Sequence, residues 1–232
     1  MNPEGGLLLR ASSVLYVSPR PSVSPPTRAS SQPGFWDVRY EREAHLFGTA
    51  PNAFVAAEAS RISPNSDVVA LGAGEGRTLL WLARTHGHRG TAVDFSGSAL
   101  ATAARWAREH EVPLDTVRAD VRTWRPERRW DAALVTFLQL LPEERAGLYR
   151  LLRRIVRPGG WILGEWFRPA HLHGPYDRLG PNRADRMVPP TEVRAAFAQE
   201  QQARCTAANV DLREGPRLKG HAAVVRSVVQ RA

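Results

Sequence analysis

The sequence predicts an α/β protein with a doubly wound, mostly parallel, seven-stranded sheet that ends in an antiparallel hairpin strand. Three observations predict it. Short apolar strand patterns alternate with helical patterns between residues 67 and 165, the rhythm of βαβ units. A glycine-rich turn follows directly on the first strand pattern. Beyond residue 200 the rhythm breaks, and two strand patterns follow one another across a loop at 215–220. A loop that short favours antiparallel pairing.

The elements follow in order. An aromatic segment with Phe35, Trp36, Tyr40 and Phe47 leads to a helical pattern ending near Arg61. Trp36 and Tyr40 lie four apart and share a face on a helix. Residues 67–71 read as a buried strand and 77–84 as a helix with Leu79, Leu80 and Leu82 inward. Residues 90–94 are the second strand, and Ser96 is the N-cap of a helix reaching His110. Residues 116–119 and 131–137 are the third and fourth strands, the latter an apolar run suited to burial on both faces. Pro142 opens a helix with Glu143 and Glu144 in its first turn and Arg153, Arg154 and Arg157 near its end. Both placements suit the helix dipole. Pro158-Gly159-Gly160 ends it, and 161–165 is the fifth strand. Thr191 caps a helix to Phe197, and 204–212 and 222–230 form the final strand pair.

Composition bounds the rest. The 232 residues suit one domain plus an appendage. No apolar run approaches the ~20 residues of a membrane helix. A single cysteine, Cys205, cannot form an internal disulfide, which fits a reducing, cytoplasmic setting. The net charge is +9, and Lys219 is the only lysine. The arginines are scattered rather than gathered in a patch, unlike a typical nucleic-acid surface. Residues 1–33 carry Pro19, Pro21, Pro25, Pro26 and Pro33 among serines and read as a disordered Pro/Ser/Arg tail.

The chemistry concentrates at Leu71-Gly72-Ala73-Gly74-Glu75-Gly76-Arg77. Glycines let the chain turn tightly and let a ligand lie on the backbone at a helix N-terminus. The spacing is GxGxG, and Arg77 stands where a dinucleotide fingerprint has its third glycine. Asp94 ends the second strand, where an acid accepts hydrogen bonds from a ribose diol. Asp120 follows the third, where an acid accepts from an exocyclic amine. Ligand groups at successive strand ends define one crevice.

Four segments resemble the motifs of class I S-adenosylmethionine-dependent methyltransferases, which have a Rossmann-like fold. They are Val68 through Arg77, Ala92-Val93-Asp94-Phe95-Ser96, Arg118-Ala119-Asp120-Val121 and Arg157-Pro158-Gly159-Gly160. The resemblance spans about residues 35–232 and is strongest to the small tellurite-resistance and thiopurine methyltransferase type. Those enzymes have a segment like Trp36-Asp37-x-x-Tyr40 and Phe47-Gly48-Thr49-x-Pro51-Asn52-x-Phe54 that closes over the cofactor. The resemblance thus implies one methyltransferase domain at 34–232, with 34–66 as a lid segment and 169–190 as an inserted flap. It implies S-adenosylmethionine as cofactor, with Gly72, Gly74 and Gly76, flanked by Leu71 and Ala73, at its methionine part. Asp94 would bind the ribose, Asp120 with Val121 the adenine, and Phe95 would flank the ring. Thr136, Phe137 and Leu138 would lie under the sulfonium. One position departs: the family usually has an acid where this chain has Ala70. A lost charge-assisted hydrogen bond costs roughly 1.5–3 kcal/mol, about tenfold to hundredfold in affinity, with Glu75 the candidate to compensate.

The acceptor is narrowed by exclusion. Base N-methylation of nucleic acid in this family uses an Asn/Asp-Pro-Pro-aromatic turn after the fourth strand, where this chain has Thr136-Phe137-Leu138-Gln139. Pyrimidine C5 methylation needs a nucleophilic cysteine, and Cys205 sits in a late strand pattern where free cysteines are usually buried and inert. A small molecule is therefore the expected acceptor: a thiol, a chalcogen or a phenol. The alternatives are an RNA-modifying methyltransferase and a noncatalytic cofactor-binding protein. Candidate pocket residues are Trp36, Tyr40, Asn52, Gln139, Trp166 and Arg168. Tyr40, His45 and Glu165 are the candidate catalytic groups. His171-Leu172-His173 with Asp177 matches no usual zinc spacing, so no metal is expected.

Overall fold

In the computed structural model, which describes residues 29–232, the chain enters through a 3-10 turn, Ala29–Ser31, and a helix, α1 (Pro33–Arg42). The remaining elements in order are α2 (Ala53–Glu58), β1 (Asp67–Leu71), α3 (Arg77–His86), β2 (Arg89–Asp94), α4 (Gly97–Glu109) and β3 (Leu114–Arg118). Then come β4 (Trp130–Thr136), α5 (Pro142–Ile155), β5 (Val156–Phe167), α6 (Pro190–Ala196), β6 (Gln202–Gly215) and β7 (Leu218–Gln230). The sheet order is β3-β2-β1-β4-β5-β7-β6. Strands β1 to β5 pair in parallel; β7 is antiparallel to both β5 and β6. The order reverses at β1, the switch point at which open α/β sheets bind ligands.

Strand alternation divides the core between the two faces. Val69 and Leu71 pack with Val135, Leu152, Ile155 and Trp166 under α5 and α6. Val68 and Ala70 pack with Phe54, Leu79, Leu82 and Leu100 under α2, α3 and α4. A third cluster joins Phe167, Met187, Leu212, Leu218 and Val224 beneath the 169–190 segment. Among the described residues no helix is long and apolar enough to cross a membrane.

The structure moves several expected boundaries. Residues 1–28 of the expected tail lie outside the described residues, but 29–33 belong to the domain. Ser31 is buried, its carbonyl accepts from Arg122 and its hydroxyl from Arg186. Helix α5 ends at Ile155, so Arg157 lies in β5, where it pairs with Asp131. Pro189, not Thr191, is the N-cap of α6. The final hairpin turns in two residues, Pro216 and Arg217, because the strand ladder runs on to Gly215 and Leu218. Ser96 does cap α4, its hydroxyl accepting from the Ala99 N–H at 3.2 Å.

Candidate active site

A cleft opens at the carboxyl ends of β1 to β4, the place where open α/β sheets bind ligands. Its floor begins at the glycine loop. Gly72, Gly74 and Gly76 have φ of 67°, 54° and 74°, a region where side chains are strained. The Gly72 and Ala73 N–H groups donate to the Val93 carbonyl at 2.9 and 3.1 Å, locking the loop to β2. A Cβ on Gly74 would lie 2.6 Å from the Tyr40 hydroxyl, and one on Gly72 2.9 Å from Leu138. The positive φ angles are what call for glycine here; a side chain at Gly72 or Gly74 would also crowd Leu138 or Tyr40.

Asp94 is buried at the end of β2 and lines the cleft. Its carboxylate accepts from the Gly74 N–H at 2.8 Å and the Ser96 N–H at 2.9 Å. Burial pushes its carboxyl above the ordinary value of 3.8, against the pull of those N–H donors. Asp120 lies two residues past β3. Burial opposes its ionisation, but side-chain and backbone hydrogen bonds from Arg122 outweigh it and hold the carboxyl below 3.8. Arg122 also reaches Glu144 and the Ser31 carbonyl, so one guanidinium ties the entering chain to the β3 end of the cleft.

The structure brings Gly72, Ala73, Gly74, Asp94, Phe95, Asp120, Val121, Thr136 and Phe137 to this cleft, with Trp36, Tyr40 and Gln139. Phe137 holds φ of 55°, unusual for a bulky residue and a form of strain that clusters at functional sites. Gly76 caps α3 behind the loop, and Leu71 is core. Neither lines the cleft.

Five other expectations are corrected. Asn52 is fully buried and builds structure: its carbonyl oxygen caps α2 through Val55, and its Nδ2 donates to Glu165 at 2.5 Å and Glu214 at 3.2 Å. Glu165 has no exposed surface and is held by Asn52 and Arg226 (2.6 Å). Burial raises its carboxyl despite Arg226, and it does not line the cleft. Trp166 points to the opposite sheet face, into the core under α5, because neighbouring strand residues alternate. Arg168 donates to Asn209, away from the cleft. The His45 ring lies against Trp106, with centroids 4.3 Å apart, and the backbone N–H of His45 donates to Glu75 at 2.9 Å. Glu75, the candidate to compensate for Ala70, is thus engaged with the turn after α1.

Tyr40 lines the cleft, but burial, then the charges of Asp94 and Glu75, push its phenol well above 10. Its phenol therefore keeps its proton near neutral pH. His171 is buried, accepting from the Ala223 N–H and contacting the Leu179 carbonyl.

Phe47, from the expected lid segment, and Gly180, from the expected flap, also line the cleft. Sequence reasoning did not name Phe167, Leu218, Arg122, Arg217, Ser30 and Ser31, which line it too. Phe167 was within reach, because a strand that turns Trp166 to one face turns Phe167 to the other. Asp37 was another: it accepts from the Ser96 hydroxyl at 2.6 Å and the Ser98 N–H at 3.2 Å, docking α1 on the start of α4.

Comparison with known proteins agrees with this geometry. Residues 68–160 match the family model described as a methyltransferase domain. The chain is 31% identical over 108 residues to the uncharacterized protein YjhP of Escherichia coli (strain K12), covering 45% of this chain and 44% of YjhP. It thus spans less than half the length of that relative. TehB from Haemophilus influenzae superposes with a TM-score of 0.65 at 16% identity, over 85% of this chain and 67% of TehB. The DhpI–SAH complex superposes with a TM-score of 0.55 at 18% identity, over 88% of this chain and 97% of that one. These likenesses show the fold. With its reversed last strand and its glycine loop at the switch point, the chain has the Rossmann-like fold that these structures share, and its residues 68–160 match a methyltransferase domain.

Proposed function

We propose that the chain binds S-adenosylmethionine in this cleft and transfers its methyl group to a small molecule. The observation that carries the reading is the convergence of the glycine loop, Asp94, Asp120 with Val121, and Thr136 with Phe137 on one cleft. The residues fit the cofactor. Glycines admit close backbone approach, Asp94 suits the ribose diol, Asp120 the adenine amine, and Phe95 offers an aromatic face. The cofactor supplies an electrophilic methyl on a sulfonium. With the cofactor bound, an acceptor would form a bond to that carbon as the sulfonium's carbon–sulfur bond broke, releasing S-adenosylhomocysteine and giving up its proton to solvent. The protein's part is alignment and exclusion of water, which suits a cleft walled by Trp36, Tyr40, Phe47, Phe137 and Phe167.

Among the acceptors, a thiol or chalcogen is favoured over a phenol. No histidine lines the cleft among the described residues. Its acids are engaged: Asp94 by two backbone N–H groups, Asp120 by Arg122, Glu75 by His45. A site without a free base suits an acceptor that ionises readily, and thiols (pKa ~8.5) do so more easily than phenols (~10).

The test is a radiolabelled-methyl screen of thiols, selenite, tellurite, phenols, amines and RNA, beside calorimetry with S-adenosylhomocysteine. Binding with turnover of a thiol or chalcogen is expected. A folded sample that binds no S-adenosylhomocysteine overturns the cofactor reading. Phenol turnover matching that of thiols overturns the acceptor reading, and binding without turnover of any acceptor points to the noncatalytic alternative.

A further inference from the structure

Three arginines line the cleft: Arg77, Arg122 and Arg217. They differ in what already holds them. Arg122 is taken up by Asp120, Glu144 and the Ser31 carbonyl. Arg217 is largely exposed and rests on Glu43, so water screens it. Arg77 is unlike both. It is the first residue of α3, directly after the glycine loop, and its side chain is only 11% exposed.

We propose that Arg77 binds the carboxylate at the amino-acid end of the cofactor, and that Glu214 holds it in position to do so. This rests on the cofactor reading above. Of the five N–H groups of a guanidinium, Arg77 uses one on the Ala50 carbonyl, at 2.6 Å, and one on Glu214. The others are left for a ligand in the cleft it lines. Glu214 is fastened from further sides: its carboxylate accepts from Asn52 Nδ2 at 3.2 Å and the Ala53 N–H at 3.0 Å, and its side chain is 3% exposed. A carboxylate so held cannot follow the guanidinium if it moves, so it sets the direction of the arginine.

The surroundings point the same way. Behind the glycine loop lies a small cavity of about 30 Å³ lined by Ala70, Gly76, Arg77, Thr78 and Thr136. With alanine at position 70, β1 brings no carboxylate there to compete for Arg77. A second acid, Glu75, lines the same wall of the cleft two residues away. A cation and an acid on one wall match the two charges of an α-amino acid. A bidentate guanidinium–carboxylate contact is the strong form of such recognition, and the arginine's burial keeps it little screened.

The test is calorimetry with three probes: S-adenosylhomocysteine, its decarboxylated analogue and methylthioadenosine, which lacks the amino acid. The wild-type protein is expected to favour S-adenosylhomocysteine over the decarboxylated analogue by about tenfold to hundredfold. Arg77→Gln should lose that preference and bind the other two probes as before. Arg77→Lys should regain part of it, as a point charge without the fork. Glu214→Gln should lower the preference without removing methylthioadenosine binding, which a merely structural role would not separate. Arg77→Gln that retains the preference, or that weakens all three probes equally, overturns the proposal. If that variant does not fold, a wild-type protein indifferent to the carboxylate overturns it instead. Wild-type protein that binds none of the three refutes the cofactor reading itself.

Discussion

The cleft has two walls built by different means. The inner wall, from the glycine loop to Thr136, comes from strands that pair in parallel and place their last residues together. The outer wall comes from α1, the turn after it, the 169–190 segment and the final hairpin. Asp94 and Gly74, on the inner wall, are 20 residues apart. On the outer wall, Asn52 meets Glu165 and Glu214 across 113 and 162 residues. The difference teaches that the inner wall is set by neighbouring strand ends, whereas the outer wall depends on a buried polar knot. Asn52, Glu165, Glu214, Arg77 and Arg226 form that knot, and buried hydrogen-bonded networks of this kind rigidify what they join.

Breaking the inner wall should give the largest effect. Asp94→Ala removes the carboxylate that both holds Gly74 and faces the cleft. We expect S-adenosylhomocysteine affinity to fall at least about a hundredfold, near 3 kcal/mol, by calorimetry. Unchanged affinity would detach the inner wall from cofactor binding. Breaking the outer wall should instead cost stability. Asn52→Ala removes a helix cap and leaves two buried acids short of a donor. Urea denaturation should show a loss of about 2–3 kcal/mol, and a smaller loss would mean the knot is not the anchor of that wall.

Acidity gives a further handle on the inner wall. The folded Asp94 carboxyl binds its proton more tightly than the unfolded one. Its contribution to the stability of the unliganded protein is complete below pH 3.8 and is lost as pH rises through the raised folded value. Asp94→Asn should remove that part of the pH dependence from urea midpoints; an unaltered profile would refute the assignment. The smallest effect belongs to α1. Asp37→Ala should cost about 1 kcal/mol and speed hydrogen exchange in α1 while sparing β1. Equal exchange in both variants would show that α1 is docked by its aromatic residues instead.

Legibility followed the same division. The βαβ rhythm, the Ser96 cap and the glycine loop were readable because each is a local pattern with a local cause. Glu165 and Trp166 were misplaced because strand alternation says that two neighbours face apart, not which face meets the cleft. Asn52 was placed in the pocket because its motif resembles a closing segment; its actual partners come from β5 and β6 and could not be seen from the motif. The +9 charge also changes meaning. Arg122, Arg145, Arg153 and Arg226 join elements distant in sequence through acids, so much of the arginine content holds the fold together.

The sequence by itself determined the strand and helix order, the switch point and the acids at the ends of the parallel strands. Hydrophobic periodicity and glycine conformation act over a few residues and leave their mark in the chain. Only the tertiary structure decided that Asn52 and Glu165 are buried together rather than set in the cleft, and that Phe167 and Arg217 line it. Those facts depend on side chains from opposite ends of the chain meeting at fixed distances, and on the burial that sets their ionisation.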